Sequence, residues 1–164
     1  MIAVDPARSA QMALVRSRDT KPEMRVRKAL HAAGLRYRLH DKRLPGIPDL
    51  VFPSRGIVVF VHGCFWHRHP NCPAARLPKT RLDFWEPKLA GNAARDVRKT
   101  AELETLGWQV LVIWECETSK LDALTALAQR ILSAPRRSQP FCPLTPARRA
   151  GERAAKRPRR SQCS

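Results

Sequence analysis

Acidic residues are scarce in this chain: 14 Asp and Glu stand against 31 Lys and Arg over 164 residues, a formal charge of +17. A chain so short of negative charge suits a polyanionic partner such as DNA or RNA. The excess is not confined to the end. Residues 134–164 carry nine Lys/Arg and one Glu, which leaves 22 cations against 13 acids on residues 1–133, still +9. Long apolar runs are also absent, and nothing approaches the ~20 residues a membrane helix requires. The first residues, MIAVDPARSAQMALV, have an early acid and no continuous apolar core, so they do not read as a signal peptide. Cysteine is sparse and odd in number, at five, which argues against a secreted disulfide frame and for metal ligation in a reducing cytoplasm. No internal repeat is present. The length supports one domain with a core of its own.

Three regions follow from composition: an N-terminal arm over 1–18, a folded body over 19–133, and a basic, Pro/Ser-rich tail over 134–164 expected to be disordered. Thr20-Lys21-Pro22-Glu23 spells a capping box with proline in the first turn. Val26, Ala29, Leu30 and Ala33 then recur at helical spacing up to Gly34, which predicts a helix over 21–33. Strands are expected at Arg36–Leu39, Asp49–Phe52 and Ile57–Val61, the last apolar on both faces. Residues 62–92 lack periodicity and abound in Pro, His, Cys, Trp and Arg; so long a loop in a small domain is usually functional or metal-tied. A helix over Asn92–Leu106, a strand over Trp108–Trp114 and a last helix opening at Ser119 complete the body. The order implies a mixed α/β fold, a central sheet flanked by helices.

Two constellations carry chemistry. Cys64-Phe-Trp-His67-Arg-His69-Pro-Asn-Cys72 gathers two thiols and two imidazoles within nine residues, and Cys116 follows the last strand. Cys64, His69, Cys72 and Cys116 would close a tetrahedral Zn²⁺ site, with His67 left over. A closed ligand set implies a structural cation. The competing account, scattered buried residues, explains Cys116 alone better than it explains the cluster. The second constellation is Pro48-Asp49 at the mouth of a strand, twelve residues before Val61. A carboxylate there resembles the Mg²⁺ ligand of the PD-(D/E)xK nucleases, and a restriction-endonuclease-like sheet is the expected fold. Yet the positions for the second acid and the lysine read Val61-His62-Gly63.

That departure points to a narrower family. His62-Gly63-Cys64-Phe65-Trp66-His67, Leu44-Pro45-Gly46-Ile47-Pro48-Asp49, Thr80-Arg81-Leu82-Asp83-Phe84-Trp85, Lys88 to Asn92, Arg95-Asp96 and Gly107 to Cys116 together resemble the Vsr very-short-patch repair endonucleases, over Ser17–Glu117. The resemblance implies that Asp49 and the backbone carbonyl of Val61 hold Mg²⁺, with valine where the family commonly has threonine. It implies that His67 is the catalytic histidine and that His62 and Glu23 support the centre. It further implies that Phe65, Trp66 and Trp85 intercalate beside a T:G mispair, with Lys88 and Asn92 near the mispair and Met12 as a minor-groove wedge. Phosphate contacts are expected from Arg76, Lys79 and Arg81, and a solvated charged face is their plain alternative.

The resulting expectation is a cytoplasmic, nucleoid-associated, monomeric enzyme. It would nick duplex DNA 5′ to the thymine of T:G mispairs left by 5-methylcytosine deamination, with mismatch-repair proteins as possible partners. Two rivals remain open at this point: a restriction-like nicking enzyme of other specificity, and a zinc-stabilised DNA-binding module without catalysis.

Overall fold

Helix α1 spans Lys21–Ala32, and Thr20 Oγ1 accepts from the Glu23 backbone N–H at 3.4 Å, as the capping pattern demands. The return bond differs from the expected one. Glu23 Oε1 takes the Thr20 hydroxyl and Oε2 takes the Asp19 N–H, both at 3.0 Å. Gly34 follows at φ 78, a value a side chain would strain. This computed structural model describes residues 18–137; the arm with Met12, Cys142, Cys163 and the tail beyond Arg137 lie outside them.

Four strands form one sheet in the order β1-β2-β3-β4: β1 Arg38–Leu39, β2 Leu50–Phe52, β3 Ile57–His62 and β4 Gln109–Trp114. The first two pairings are antiparallel and β3–β4 is parallel. A parallel pair needs a long crossover, and helix α2, Leu82–Thr105, supplies it. Helix α3, Leu121–Ser133, closes the fold. The result is a mixed α/β domain with helices on both faces of a mixed sheet.

Side-chain parity sorts the core. Leu50 and Phe52 of β2, Ile57 and Val59 of β3, and Leu111 and Ile113 of β4 face α1 and α3, where they meet Val26, Leu30, Leu127 and Ile131. Val51 and Val58 point the other way, to Leu103 of α2, Leu44 and Trp108, with Phe60 and Val110 alongside. Asp49 shares the parity of Val51, and His62 that of Val58 and Phe60. Both therefore emerge on the α2 face, at the end of the sheet where β2 begins and β3 ends.

Two expectations need correction. β1 is only two residues long, and α2 starts at Leu82, ten residues before the predicted start. Pro87 lies inside α2 despite its missing N–H. The helix is anchored instead by buried Leu89 and by Trp85, whose ring meets Phe65 at 5.3 Å. Packing outweighs local propensity here.

Candidate active site and metal-ligand cluster

A cleft of about 680 Å³ opens at this end of the sheet. Asp49, Val61, His62, Trp66 and His67 line it from the strands and the loop after β3; Glu23 and His40 do so from below, and Asn92, Arg95, Asp96 and Lys99 from α2. The turn that carries Asp49 is pinned from above. A Cβ on Gly46 would sit 3.2 Å from both Lys99 Cβ and Phe60 Cζ, so glycine lets the turn approach α2.

Asp49 Oδ2 accepts from the Val61 backbone N–H at 2.7 Å. Burial pushes the Asp49 carboxyl up to about 6, an effect the Val61 N–H opposes, and Glu23 adds further repulsion. In an extended strand a residue's N–H and C=O point to the same side. The Val61 carbonyl therefore points as its N–H does, past the end of β2. Extending the β2–β3 register by two residues brings Pro48 opposite Val61. Proline has no N–H to offer, so this carbonyl is left for another partner. Asp49 offers a carboxylate oxygen and Val61 a backbone carbonyl on this side of β3, both hard donors of the kind that suits a magnesium-sized cation, and a carbonyl is indifferent to the valine side chain.

His67 lies across the same cleft. Its Nδ1 contacts Asp96 Oδ2 at 2.5 Å. Because Nδ1–H donates to this carboxylate, Nε2 is the nitrogen left to exchange a proton with a substrate. The His62 ring stacks on His67 with centroids 4.0 Å apart and planes 6° apart. Burial first, then the neighbouring His67, brings His62 down to about 4, so it stacks as a neutral ring. Asp96 was visible in the sequence only as part of a family motif, and its pairing with His67 has no local signature over 29 residues.

Glu23 is buried, and its carboxylate is engaged by Asp19, Thr20 and Arg27 Nη2 at 3.0 Å. A further residue that sequence reasoning missed joins this group. His40, at φ 47, has Nε2 2.9 Å from Arg27 Nη2 and Nδ1 3.9 Å from Asp49 Oδ1. A guanidinium only donates, so Nε2 accepts and the ring's proton sits on the side of Asp49. Burial and Arg27 both lower the pKa of His40, consistent with a neutral ring.

The ligand atoms of Cys64, His69, Cys72 and Cys116 all lie within 4.8 Å of one another. His69 Nδ1 is 3.6 Å from Cys64 Sγ and 3.4 Å from Cys116 Sγ. A tetrahedron with arms of about 2.3 Å to sulfur and 2.1 Å to nitrogen has edges of roughly 3.6 Å. The donors therefore fit one soft or borderline cation, and His67 stands outside the set.

Phe65, Trp66 and Trp85 form a cluster with centroids 5.1, 5.3 and 6.1 Å apart. All three are half-buried. Exposed Phe84 stacks edge-on to Trp85 at 5.2 Å, and Lys88 Nζ lies 5.1–5.7 Å from the centroids of Trp66, Phe84 and Trp85. Arg76, Lys79 and Arg81 are exposed nearby. The aromatic cluster borders the cleft directly, since Trp66 belongs to both.

Comparison with known proteins bears on this arrangement. The family model for the DNA mismatch endonuclease Vsr matches residues 3–73. A Xanthomonas oryzae protein named Type II nicking enzyme V.XorIIP is 57% identical over 121 residues, 74% of this chain and 88% of that protein. The chain belongs to the Vsr family. The Escherichia coli DNA mismatch endonuclease Vsr is 42% identical over 126 residues, 76% of this chain and 80% of its own length. A Neisseria meningitidis relative, Type II nicking enzyme V.NmeAIP, is 47% identical over 110 residues, 67% of this chain and 78% of that protein. Among the described residues, this Vsr-family chain has no helix long and apolar enough to cross a membrane.

Proposed function

We propose that the protein is a Mg²⁺-dependent DNA endonuclease that nicks duplex DNA 5′ to the thymine of a T:G mispair, as in very short patch repair. The observation that carries this reading is a single cleft in which Asp49 and the His67–Asp96 pair adjoin the aromatic cluster through Trp66. An aromatic wedge there can open a poorly stacked mispair and leave the adjacent phosphate over the carboxylate and the imidazole.

Asp49 and the Val61 carbonyl would hold Mg²⁺, which supplies neutralisation of phosphate charge and a more acidic water. Asp96 keeps His67 in one tautomer, and His67 Nε2 takes a proton from the attacking water. The water oxygen bonds to phosphorus as the bridging P–O bond breaks, and the leaving oxygen takes a proton from solvent to end as a hydroxyl. His62 holds the plane of His67 by stacking, and Arg27 with His40 braces the Glu23–Asp49 side. Cys64, His69, Cys72 and Cys116 would hold Zn²⁺, whose closed ligand set ties the loop and leaves no open position for substrate.

The test is strand-resolved cleavage of a panel of mismatched and paired duplexes, with Mg²⁺ present or omitted. Nicking is expected 5′ to the thymine of T:G alone, lost in Asp49→Ala with the fold retained. An Asp49→Ala protein that nicks normally refutes the assignment. The relatives named as Type II nicking enzymes favour a second reading, in which the same centre serves a different flanking sequence; cleavage that tracks flanking bases rather than the mispair would select it. Mismatch binding indifferent to Mg²⁺, with no product at any concentration, would instead mark a binding module.

A further inference from the structure

Trp85, Lys88, Asn92, Arg95, Asp96 and Lys99 recur at three- and four-residue intervals along α2, so they form one stripe. The upper part of this stripe meets the aromatic cluster and the lower part lines the cleft. Asn92 is where the two meet. Its Nδ2 donates to the Trp66 carbonyl at 3.2 Å, and its Oδ1 accepts from Arg95 Nη1 at 3.2 Å. With donor and acceptor both committed, the amide has one satisfied orientation; flipping it would oppose oxygen to oxygen and N–H to N–H. Asn92 thereby bridges the Trp66 backbone and the guanidinium of Arg95.

Arg95 differs from its cationic neighbours. Arg98 and Lys99 both pair with Glu102. Arg95 lines the cleft beside Asp96, whose carboxylate is engaged by His67, and among the described residues it has no ion pair of its own. A guanidinium held by a neutral amide at the mouth of a cleft keeps its remaining donors and its full charge for an anion. Its planar fork suits two oxygens of a phosphodiester.

We propose that Arg95 grips the scissile phosphate and that Asn92 links this grip to the seating of Trp66, so that engagement of the mispair and alignment of the phosphate are coupled. The proposal rests on the nuclease reading above and adds to it a phosphate ligand and a specificity relay. A bystander arginine on the same exposed face would contact some other phosphate, or none.

The experiment is a substitution cycle across the contact. Duplexes carrying T:G are prepared with the phosphate 5′ to the thymine either normal or replaced by an uncharged methylphosphonate. Binding is measured without added Mg²⁺ for the wild-type chain, Arg95→Gln and Arg95→Lys, all expected to melt alike because the side chain is exposed. Loss of that charge should weaken wild-type binding about tenfold and Arg95→Gln about twofold at most, as expected when one charge-assisted contact is already gone. Arg95→Lys should lie between them, since an ammonium keeps the charge but not the fork. Equal losses in wild type and Arg95→Gln would overturn the phosphate assignment.

In single-turnover nicking with Mg²⁺, Arg95→Gln should be slower by on the order of a hundredfold. Asn92→Ala combined with Arg95→Gln should cost little beyond the worse single substitution, because coupled residues are not additive. Fully additive losses would show that the relay does not exist. Failure of the wild-type chain to nick any mismatched duplex would sink the nuclease reading instead, and the binding cycle would still decide whether Arg95 touches that phosphate.

Discussion

At the residue scale, the central fact is a carboxylate kept where water solvates it poorly. Asp49 rises from 3.8 to about 6, chiefly because it is buried. Between those values the folded chain binds more protons than the unfolded one. Stability contributed by this group therefore falls as pH climbs from about 4 to about 6, and it stays lost above that. The implied cost at neutral pH is on the order of 3 kcal/mol. Asp49→Asn keeps an oxygen for the Val61 N–H and removes the charge. Without added Mg²⁺, this variant is expected to melt several degrees above wild type at pH 7.5 and close to it at pH 4. Saturating Mg²⁺ should reverse the order at pH 7.5 by stabilising only the wild-type chain. Thermal melts across this range check both signs, and a lower melting point for Asp49→Asn at pH 7.5 without metal would contradict the burial argument.

At the scale of elements, the proposed active site is the product of strand parity, one long helix and one loop, and these were unequally legible. Parity was open to reading, since the turn at Leu44–Pro48 and the apolar run Ile57–Val61 determine which face Asp49 and His62 share. The metal-ligand loop was also legible, because Cys64, His69 and Cys72 are local. The first ten residues of α2 were not, as Pro87 and Gly91 both speak against a helix, and burial of Leu89 with the contact of Trp85 and Phe65 offsets them. With the helix start misread, Trp85 and Lys88 could not be seen as one stripe with Asn92, Arg95 and Asp96. His40 was hidden for a different reason: its partners, Arg27 and Asp49, come from separate elements. The loop itself buries few side chains. Among residues 63–76 only Cys64 and Ala75 are buried, and a single 3-10 turn, Pro73–Ala75, interrupts it. Its order should depend on the four-ligand cluster. Chelation of the cation proposed for this cluster, or Cys72→Ser, is expected to remove hydrogen-exchange protection from His67 and its neighbours and to abolish nicking, while amides of β3 and β4 remain protected. A metal-free chain with unchanged loop protection would show that packing alone holds it.

For the whole molecule, the two poles of the sheet have different partners. The proposed catalytic pole is where β2 begins and β3 ends. At the other pole, the β2–β3 turn receives the chain after α3: the Arg137 N–H donates to the Ser54 carbonyl at 2.7 Å, and its Nη2 donates to the Gly107 carbonyl at 2.9 Å. Arg55 Nη1 in the same turn donates to the Leu132 carbonyl at 2.9 Å. The described chain thus ends a full strand away from Asp49, about 20 Å for the six residues of β3. Beyond it, residues 138–164 carry seven Lys/Arg and one Glu. Charge attached at the far pole can add to DNA affinity through phosphates without touching the mispair. A chain truncated after Arg137, with its two anchoring bonds kept, should bind DNA with a salt dependence flatter by several units of log–log slope, because each cation removed releases about one fewer counterion. The preference for T:G over paired duplex proposed above should not change. If truncation altered that preference and left the salt slope intact, the division of labour between the poles would be wrong, and the tail would have to reach the cleft that Arg95 and Asp49 line.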